Sequence, residues 1–403
     1  MGNIRVCTIY PADPVGTIPG GIDTFIRGIL RWAPDDISFS LVGVTTDRAA
    51  RPPGKWTECD LGRRKFWFYP IIALDDPGGR SILPLSLRFS TALSVRKISR
   101  DFDILEFHRI EPSLPYYFSD TPKNAFIHQN MDVLLHKHSD IRWRHLPWLY
   151  YKLEDRLLPR MRSVFCVRED AVAAFRKRFP EFAERFRFIP TWMDPDLFHP
   201  VSDDRRSELK TRLGKTYGFQ TNDVLLVSVG RLDHQKNPLL LLDAFDNVAQ
   251  VIRDARLVMV GDGVLRDKVL AHLKKRGLKD RVILAGLRSA AEISDLLRVS
   301  SVFVLSSAYE GMPMCVLEAL GSGLPAAVTD VGEIRRIIRP GVNGEIAETH
   351  SPDALAAAIL GCIEHHDVFR GKPCLDVALR YTPSEVLKPV YDNYRRLAGS
   401  SRT

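Results

Sequence analysis

The sequence predicts an α/β protein made of two nucleotide-binding-type domains. Apolar, strand-like segments alternate with helical segments in both halves of the chain, and a polar, proline-bearing stretch separates the halves. The chain has 403 residues, which is too long for one ordinary domain. Because alternating strands and helices are typical of a sheet covered by helices, we predict two α/β domains.

The first half opens with a predicted strand at residues 4–10, a glycine-containing loop and an amphipathic helix at residues 22–32. This order of strand, loop and helix is how a nucleotide-binding domain begins. Further strands are predicted at residues 38–44, 104–107, 125–128 and 163–167. We assign residues 1–195 to the first domain.

The second half is more regular. Strands are predicted at residues 224–229, 257–260, 282–285, 302–305 and 326–329, each followed by glycine or polar residues and then by a helix. Parallel βαβ units of this kind place ligand groups at the carboxyl ends of their strands. We place the interdomain linker between residues 194 and 222, assign residues 196–382 to the second domain, and predict that a helix within 383–403 packs back on the first domain.

Composition narrows the class of protein. No uncharged apolar stretch of membrane-spanning length is present, and the N-terminus has the pattern of a first strand rather than of a secretion signal, so a cytoplasmic protein is expected. The six cysteines are scattered without the spacing of a metal site, so free thiols and no metal are expected. The formal net charge of +8 favours an anionic partner, which a nucleotide, a phospholipid surface or a nucleic acid would each provide.

Glu310 and Glu318 flank a predicted helix start. The loop that carries Glu310 follows the strand at 302–305, and Pro313 is the residue type that favours a first helical position. At roughly 1.5 Å per helical residue, Glu318 lies about 7 to 8 Å along the axis from Pro313, with the free amides of the helix start between the two acids. This arrangement fits a nucleotide diphosphate sugar, with the amides on the phosphates and one acid each for sugar and ribose.

Two cations stand in a similar position after the strand at 224–229. Asn237 is a predicted N-cap and Pro238 a predicted first helical residue, so Arg231 and Lys236 flank a second helix start. Fixed cations there would neutralise the charge on a departing diphosphate without a metal ion. The alternative is that both are solvated side chains of a surface loop.

The run Glu310-Gly-Met-Pro-Met-Cys-Val-Leu-Glu318-Ala-Leu-Gly-Ser-Gly-Leu-Pro325 resembles the donor-site signature of retaining glycosyltransferase family 4, the glycosyl transferases group 1. The resemblance is strong over residues 224–346. It implies the GT-B fold, in which two Rossmann-like domains face each other across a cleft. It also implies that Arg231, Lys236, Glu310 and Glu318 form the donor-site quartet.

The resemblance extends to further residues. It places His128 beside the transferred sugar as a catalytic residue, with His108 as the alternative on the acceptor side and Asp13 and Arg168 as weaker candidates. The remaining residues that it implies in donor binding are Gly263, Gly311, Met312, Pro313 and Met314. Gly20 and Gly21, which come before the predicted helix at 22–32, are added as donor-binding residues because they would let the backbone approach the β-phosphate or the acceptor.

The implied reaction is transfer of a hexose from a nucleotide diphosphate sugar to a glycan or lipid-linked saccharide. The anomeric configuration is retained, and no metal or other cofactor takes part. Such a reaction belongs to cell-surface polysaccharide or glycolipid synthesis. Basic and aromatic residues mix at 63–69 and 142–162, a composition that favours peripheral contact with an anionic membrane, on its inner face. A core helix at 146–158 with a charged outer face is the alternative. Dispersed basic residues argue against a nucleic-acid partner.

Two other classes of protein fit part of the pattern. One is a non-catalytic protein that binds nucleotide sugars, and the other is a different GT-B enzyme, such as a nucleotide-sugar epimerase or a sugar phosphorylase. The D-x-D tripeptides at 101–103 and 194–196 lack the context of a metal-diphosphate site, and we interpret them as turns. The chain has Thr191-Trp-Met-Asp194 where relatives tend to have Asn-Gly-Val-Asp, so the sequence leaves the donor sugar and the nucleobase open.

Overall fold

The computed structural model describes residues 3–16, 21–74, 85–96, 98, 100–128 and 147–400. The chain divides into two compact units: a first unit of residues Met1–Pro190 with Pro383–Thr403, and a second unit of residues Thr191–Thr382. The sequence analysis places the boundary between residues 195 and 196, a few residues later. Over the described residues, no helix combines the length and the apolar composition needed to cross a membrane.

The described strands of the first unit form one sheet. They are β1 (Ile4–Ile9), β2 (Ile37–Thr45), β3 (Thr57–Asp60), β4 (Lys65–Ala73), β5 (Ile104–Phe107), β6 (Lys123–Ile127), β7 (Ser163–Cys166) and β8 (Phe186–Phe188). Their order is β3-β4-β2-β1-β5-β6-β7-β8, and every neighbouring pair is parallel except β3 with β4. The described helices are α1 (Gly21–Arg31), α2 (Leu85–Ser94), α3 (Pro147–Leu157) and α4 (Glu169–Arg178).

The second unit holds a parallel sheet of order β11-β10-β9-β12-β13-β14. Its strands are β9 (Val224–Val229), β10 (Ala255–Val260), β11 (Val282–Gly286), β12 (Val302–Leu305), β13 (Ala326–Thr329) and β14 (Gly344–Ala347). Its helices are α5 (Asp203–Tyr217), α6 (Pro238–Val251), α7 (Arg266–Arg276), α8 (Ala290–Val299), α9 (Met314–Gly321), α10 (Ile334–Ile337), α11 (Pro352–Glu364), α12 (His366–Phe369) and α13 (Lys372–Ala378).

Strand β12 shows why these strands are apolar throughout. Val302 and Val304 belong to the buried cluster on one face of the sheet, which includes Phe245 of α6. Phe303 and Leu305 belong to the cluster on the other face. Successive side chains point to opposite faces of a strand, and both faces of a helix-covered parallel sheet are buried. The continuous apolar pattern therefore fixes β12, and with it the loop that begins at its carboxyl end.

Two helices, α14 (Pro383–Val386) and α15 (Lys388–Ser400), return to the first unit. The Tyr391 hydroxyl donates to the carbonyl of Ile29 at 3.0 Å, and the buried Ser163 hydroxyl donates to Asn393 Oδ1 at 2.8 Å. Arg395 pairs with Asp36 at 2.7 Å. Helix α15 is therefore attached to α1 and to β7.

The expected linker between residues 194 and 222 is wrong, because helix α5 lies within it. Ser202 caps this helix by accepting a hydrogen bond from the Arg205 amide, and Gly218 ends it in the left-handed conformation. Leu209 and Leu213 are buried in the core of the second unit. The helix is otherwise polar and solvent-facing, which is why its composition resembles that of a linker.

The segment at 63–69, interpreted from the sequence as a membrane-contact candidate, lies largely in β4. Phe66 and Phe68 are buried, and the Arg100 guanidinium lies over the Trp67 ring at 4.1 Å. These aromatic residues therefore belong to the sheet. Residues 142–146 of the other candidate segment lie outside the described residues, whereas α3 buries Tyr150 and Leu157, as the alternative of a core helix predicts.

We predict that Gly261→Ala destabilises the second unit by more than Gly277→Ala. Both glycines have positive φ, 133° and 68°, but a Cβ at Gly261 would lie 1.9 Å from the Gly230 carbonyl oxygen, whereas one at Gly277 would meet nothing within 4 Å. The expected losses in the free energy of unfolding are about 1 kcal/mol for Gly277→Ala and about 2–4 kcal/mol for Gly261→Ala. Urea unfolding of both variants measures them, and equal losses would contradict the clash.

Candidate functional site

The candidate residues of the second unit lie in two loops at one edge of its sheet. One loop follows β9 and the other follows β12, and these strands are parallel neighbours. The Ala308 amide donates to the Gln235 carbonyl at 2.8 Å, and the Ser306 hydroxyl donates to the Lys236 carbonyl at 2.8 Å. The two loops are therefore held against each other by hydrogen bonds.

Lys236 and Glu310 form an ion pair between these loops. Lys236 Nζ lies 2.6 Å from Glu310 Oε1, and the Glu310 side chain is 9% exposed. The Ser307 hydroxyl donates to the same oxygen at 2.8 Å, and Gln235 Nε2 donates to Oε2 at 3.3 Å. Burial acts to lower the pKa of Lys236, but the contacts with Glu310, together with Cys315 and Asp233, outweigh burial and hold this pKa above its ordinary value. Lys236 is therefore a fixed cation and not a solvated surface side chain.

Arg231 lies in the same loop as Lys236 but faces solvent. Its side chain is 58% exposed, and one guanidinium nitrogen lies 3.0 Å from Asp233 Oδ2 and donates to Gln235 Oε1 at 3.2 Å. Asp233 Oδ1 also accepts from the Lys236 amide at 2.9 Å. Arg231 is thus tethered through one nitrogen of its guanidinium group, while the side chain stays largely exposed to solvent.

The turn that presents these cations has an unusual backbone. Asn237 is the N-cap of α6 with φ of 48°, the one non-glycine residue with positive φ among the described residues. The predicted N-cap position is confirmed, although the Asn237 side chain makes no capping hydrogen bond. Asparagine tolerates this conformation better than most residues, and Pro238 follows as the first helical residue.

Helix α9 begins at Met314 with Pro313 as its N-cap, one residue later than expected. The residues before it are tied to neighbouring segments. The Gly311 carbonyl accepts from the Glu333 amide at 2.9 Å, and the Met312 carbonyl accepts from the Thr191 hydroxyl at 3.0 Å. These bonds fix the loop, and the role of its residues in donor binding stays a prediction.

Glu318 lies in the second turn of α9. Burial raises its pKa to about 7, with the Lys236 charge opposing this effect and Asp194 adding to it. A carboxyl group with this pKa is present in both protonation states near neutral pH. In its ionised form, the two carboxylate oxygens are able to accept one hydrogen bond from each hydroxyl of a vicinal diol.

Gly263 lies after β10 and packs on the loop after β9. A Cβ at this position would lie 2.5 Å from the Leu232 carbonyl oxygen, which accepts from the Leu265 amide at 2.8 Å. The glycine is therefore required for the approach of the two loops. Its predicted position near the phosphates stays a prediction.

A buried chain of hydrogen bonds in the first unit ends at His128. His108 Nδ1 lies 2.9 Å from His128 Nε2, and His108 Nε2 lies 2.9 Å from Glu106 Oε1. Glu106 also accepts from the Thr8 hydroxyl at 3.0 Å and from the Tyr394 hydroxyl of α15. His108 and His128 follow the adjacent strands β5 and β6, which is why their rings meet.

This series of hydrogen bonds sets which ring nitrogen of His128 carries the proton. A carboxylate accepts hydrogen bonds, so His108 Nε2 donates to Glu106, and the Nδ1 of a neutral His108 then accepts from His128 Nε2. Burial, with the neighbouring His108 and then Arg109 adding to it, holds the pKa of His128 well below its ordinary value. His128 is therefore neutral, and its unprotonated Nδ1 is available to accept a hydrogen bond from a hydroxyl group.

The other candidates of the first unit differ in role. Gly20 lies outside the described residues, and Gly21 begins α1. Asp13 accepts from the amides of Gly16 and Thr46 at 2.9 and 2.8 Å and pairs with Arg51 at 3.1 Å, so it holds a loop.

Arg168, the remaining weaker candidate, pairs with Asp170. The sequence analysis missed two acids: Glu106, which lies inside an apolar strand, and Asp23 in the first turn of α1. Burial raises the pKa of Asp23 to about 7, and its Oδ1 has no hydrogen-bond partner among the described residues. The position of Asp23, two residues after the glycine pair Gly20-Gly21, was a signal that could have identified it.

The described ranges contain no group of three or more His, Cys, Asp or Glu side chains placed to hold a metal ion. Cations at the carboxyl edge of the second sheet are instead supplied by Arg231 and Lys236.

Comparison with known proteins agrees with the family resemblance of the sequence motif. Residues 210–367 match the model of the family described as glycosyl transferases group 1. The chain is 32% identical over 175 residues to the UDP-Gal:alpha-D-GlcNAc-diphosphoundecaprenol alpha-1,3-galactosyltransferase of Escherichia coli, covering 43% of each chain. It is 31% identical over 194 residues to the mannosylfructose-phosphate synthase of Agrobacterium fabrum, covering 46% of this chain and 41% of that enzyme. The matches thus span less than half the length of these relatives.

Solved structures resemble the chain over nearly its whole length. Sucrose-phosphate synthase from Thermosynechococcus elongatus has a TM-score of 0.79 at 16% identity and covers 99% of this chain and 100% of its own. Anabaena Alr3699/HepE in complex with UDP-glucose has a TM-score of 0.70 at 17% identity, with coverage of 98% and 100%. At these identities the likeness shows a shared fold.

We predict that Glu318→Gln stabilises the protein at pH 8 and leaves its stability nearly unchanged at pH 5. The pKa of Glu318 is raised from 4.5 to about 7 on folding, so the stabilising effect of its protonated form is fully present below pH 4.5 and is lost as the pH rises through 7. The gain at pH 8 is at most about 3 kcal/mol. Urea unfolding at both pH values measures it, and a gain that does not change with pH would contradict the assignment.

We predict that His128 carries its proton on Nε2 at pH 8 and that Glu106→Gln produces a mixture of both tautomers. A glutamine amide is able to donate to His108 Nε2, which reverses the direction of both histidine hydrogen bonds. Nitrogen-15 NMR of the imidazole nitrogens distinguishes the tautomers. The control is Tyr394→Phe, which removes a donor to Glu106 and leaves both histidine bonds in place. A mixture of tautomers in the wild type would contradict the chain of hydrogen bonds.

Proposed function

We propose that this protein is a retaining, metal-independent hexosyltransferase, because residues 210–367 match the model of the glycosyl transferases group 1 and the chain has the GT-B fold class. It transfers a hexose from a nucleotide diphosphate sugar to a glycan or lipid-linked saccharide. The observation that carries the proposal is the Lys236–Glu310 ion pair, with the exposed Arg231 charge in the same loop. This edge of the sheet offers two cations to a diphosphate and fixed acids to sugar and ribose hydroxyls.

The chemistry of the two cations supports a reaction without a metal ion. The diphosphate that leaves the sugar gains negative charge in the transition state, and fixed positive groups stabilise that charge without reorganising. Lys236 is held in place by Glu310 at 2.6 Å, and Arg231 is tethered to Asp233 at 3.0 Å. These residues take the place that a metal ion has in other transferases.

Glu310 acts as a hydrogen-bond acceptor and not as a nucleophile. Its carboxylate already accepts from Lys236, Ser307 and Gln235, which fixes its orientation and lowers its reactivity toward carbon. The proposed reaction therefore proceeds on one face of the sugar through an oxocarbenium-like state, and the departing phosphate removes the proton of the acceptor hydroxyl. Neutral His128 binds a hydroxyl of the transferred sugar through Nδ1.

We propose a uridine nucleotide as the donor. The Escherichia coli relative is named for UDP-Gal, and the Anabaena structure contains UDP-glucose. The carboxyl group of Glu318 is suited to the ribose diol, and the half-buried start of α9 to the diphosphate. The acceptor is proposed to be a lipid-linked saccharide at the cytoplasmic face of a membrane, because the same bacterial relative is named for a diphosphoundecaprenol acceptor.

A non-catalytic protein that binds nucleotide sugars is the second candidate function. It would use the same cations and acids, so affinity for a donor does not separate the two functions. Slow hydrolysis of the donor does separate them, because it requires stabilisation of the departing diphosphate and not only of the ground state.

The test is a screen of UDP-, GDP- and ADP-hexoses for thermal stabilisation and slow hydrolysis, with and without EDTA. We predict that a UDP-hexose stabilises the protein and is hydrolysed at the same rate in EDTA. Arg231→Ala lowers that rate by about 10²-fold, the usual cost of losing one group that stabilises transition-state charge.

The matched control for this screen is Arg253→Ala, which removes an exposed arginine outside the candidate site. Stabilisation by a donor without hydrolysis would favour the binding protein. A rate abolished by EDTA would overturn metal independence, and the absence of stabilisation by every donor would overturn the proposed function.

A further inference from the structure

A cavity of about 300 Å³ in the first unit is lined mainly by arginines. Its walls contain Arg162, Arg185, Arg187 and Arg396, with Pro122 and Leu397 supplying apolar surface. The carboxylate among the lining residues is that of Glu184, which is mostly exposed and lies 3.7 Å from Arg185. The lining residues therefore carry four positive charges and one negative charge.

The cavity lies at the amino-terminal ends of the strands, whereas His128 lies at the carboxyl end of its strand. Pro122, Arg162 and Arg185 directly precede β6, β7 and β8, which are parallel. His128 directly follows β6. The five residues of β6 span about 16 Å at roughly 3.3 Å per residue, so the cavity is separate from the candidate catalytic residues. Helix α15 closes it with Arg396 and Leu397.

The arginines of the cavity are held in place to different degrees. Arg185 is fixed, because it donates to the carbonyls of Pro159 and Met161 at 3.0 and 3.1 Å and its guanidinium lies 4.4 Å from the Phe182 ring. The guanidinium groups of Arg162 and Arg187 make no hydrogen bond or ion pair with any other described residue, although the Arg162 amide donates to the Lys123 carbonyl at 2.7 Å. One wall is thus rigid, and two guanidinium groups have their donors available.

The positive charges act on one another. Burial, followed by the charge of Arg396, lowers the pKa of Arg187. Outside the lining, burial also lowers the pKa of the neighbouring Lys123; Asp120 opposes this effect, and Arg160 and Arg162 add to it. The like-charge contact between Arg187 and Arg396 is unfavourable by itself and is relieved when an anion lies between the two groups.

We propose that this cavity is a binding site for a phosphate-bearing anion with two or more negative charges. Guanidinium groups match phosphate geometry through paired N–H donors, and a cavity of this volume is large enough for a diphosphate or a phosphorylated headgroup. The apolar surface of Pro122 and Leu397 borders the cations and suits the organic part of such a ligand. Nothing in the proposed transferase reaction uses these residues, so this second site is independent of that function.

The experiment is calorimetric titration of the full chain with inorganic pyrophosphate at low salt. The double variant Arg162→Ala/Arg187→Ala removes the two available guanidinium groups. We expect its affinity for pyrophosphate at this site to fall by about tenfold or more. The control Arg253→Ala/Arg380→Ala makes the same charge change at exposed positions, and Arg231→Ala alters the donor site alone. Both controls retain this binding event.

A second arm identifies the source of the phosphate. Co-sedimentation compares phosphatidylglycerol and phosphatidylcholine vesicles for the wild type and the double variant. Loss of both pyrophosphate and phosphatidylglycerol binding assigns the site to a lipid headgroup, and loss of pyrophosphate binding alone assigns it to a soluble ligand. If the double variant does not fold, the titration is repeated with Arg162→Glu, a single change at an exposed position. Unchanged pyrophosphate affinity in folded variants would overturn the proposal.

Discussion

The ion pair between Lys236 and Glu310 is the interaction on which the candidate site depends. Its two residues come from loops after β9 and β12, and a distance of 2.6 Å with little exposure gives a charge-assisted hydrogen bond in a partly desolvated setting. Breaking such a pair costs more than the pair itself contributes, because the remaining charge is left without compensation. The pair therefore fixes both loops, and Arg231, Gln235 and Ser307 take their positions around it.

The first unit uses a similar arrangement for its histidines. Glu106 is fully buried, and its charge is compensated by donors from β1, from His108 and from α15. The C-terminal helix is thus more than a covering element, because its Tyr394 hydroxyl is part of the chain that sets the tautomer of His128. In both units, a buried carboxylate holds a neighbouring side-chain nitrogen in place. Glu310 holds Lys236 Nζ, and Glu106 holds His108 Nε2.

The sequence predicted the second sheet well, because strands buried on both faces are apolar throughout; β9, β12 and β13 have the predicted bounds. It did not predict β3, β4, β8 or β14. It also missed α5, which is polar outside its two buried leucines. The positions of Arg231, Lys236 and Glu310 in loops that follow strands were also predicted from the sequence. The contacts of Glu106 with His108 and Tyr394 were not predicted, since they join residues that are distant in the chain and depend on how β5 and α15 pack.

The most direct test of the account is a double-mutant cycle on the ion pair. Affinity for the nucleotide sugar and the free energy of unfolding are measured for the wild type, Lys236→Met, Glu310→Gln and the double variant. We expect each single variant to lose both stability and donor affinity, with roughly 3–5 kcal/mol lost in stability, whereas the double variant regains stability and not affinity. Single variants that bind the donor as tightly as the wild type would contradict the claim that this pair organises the donor site.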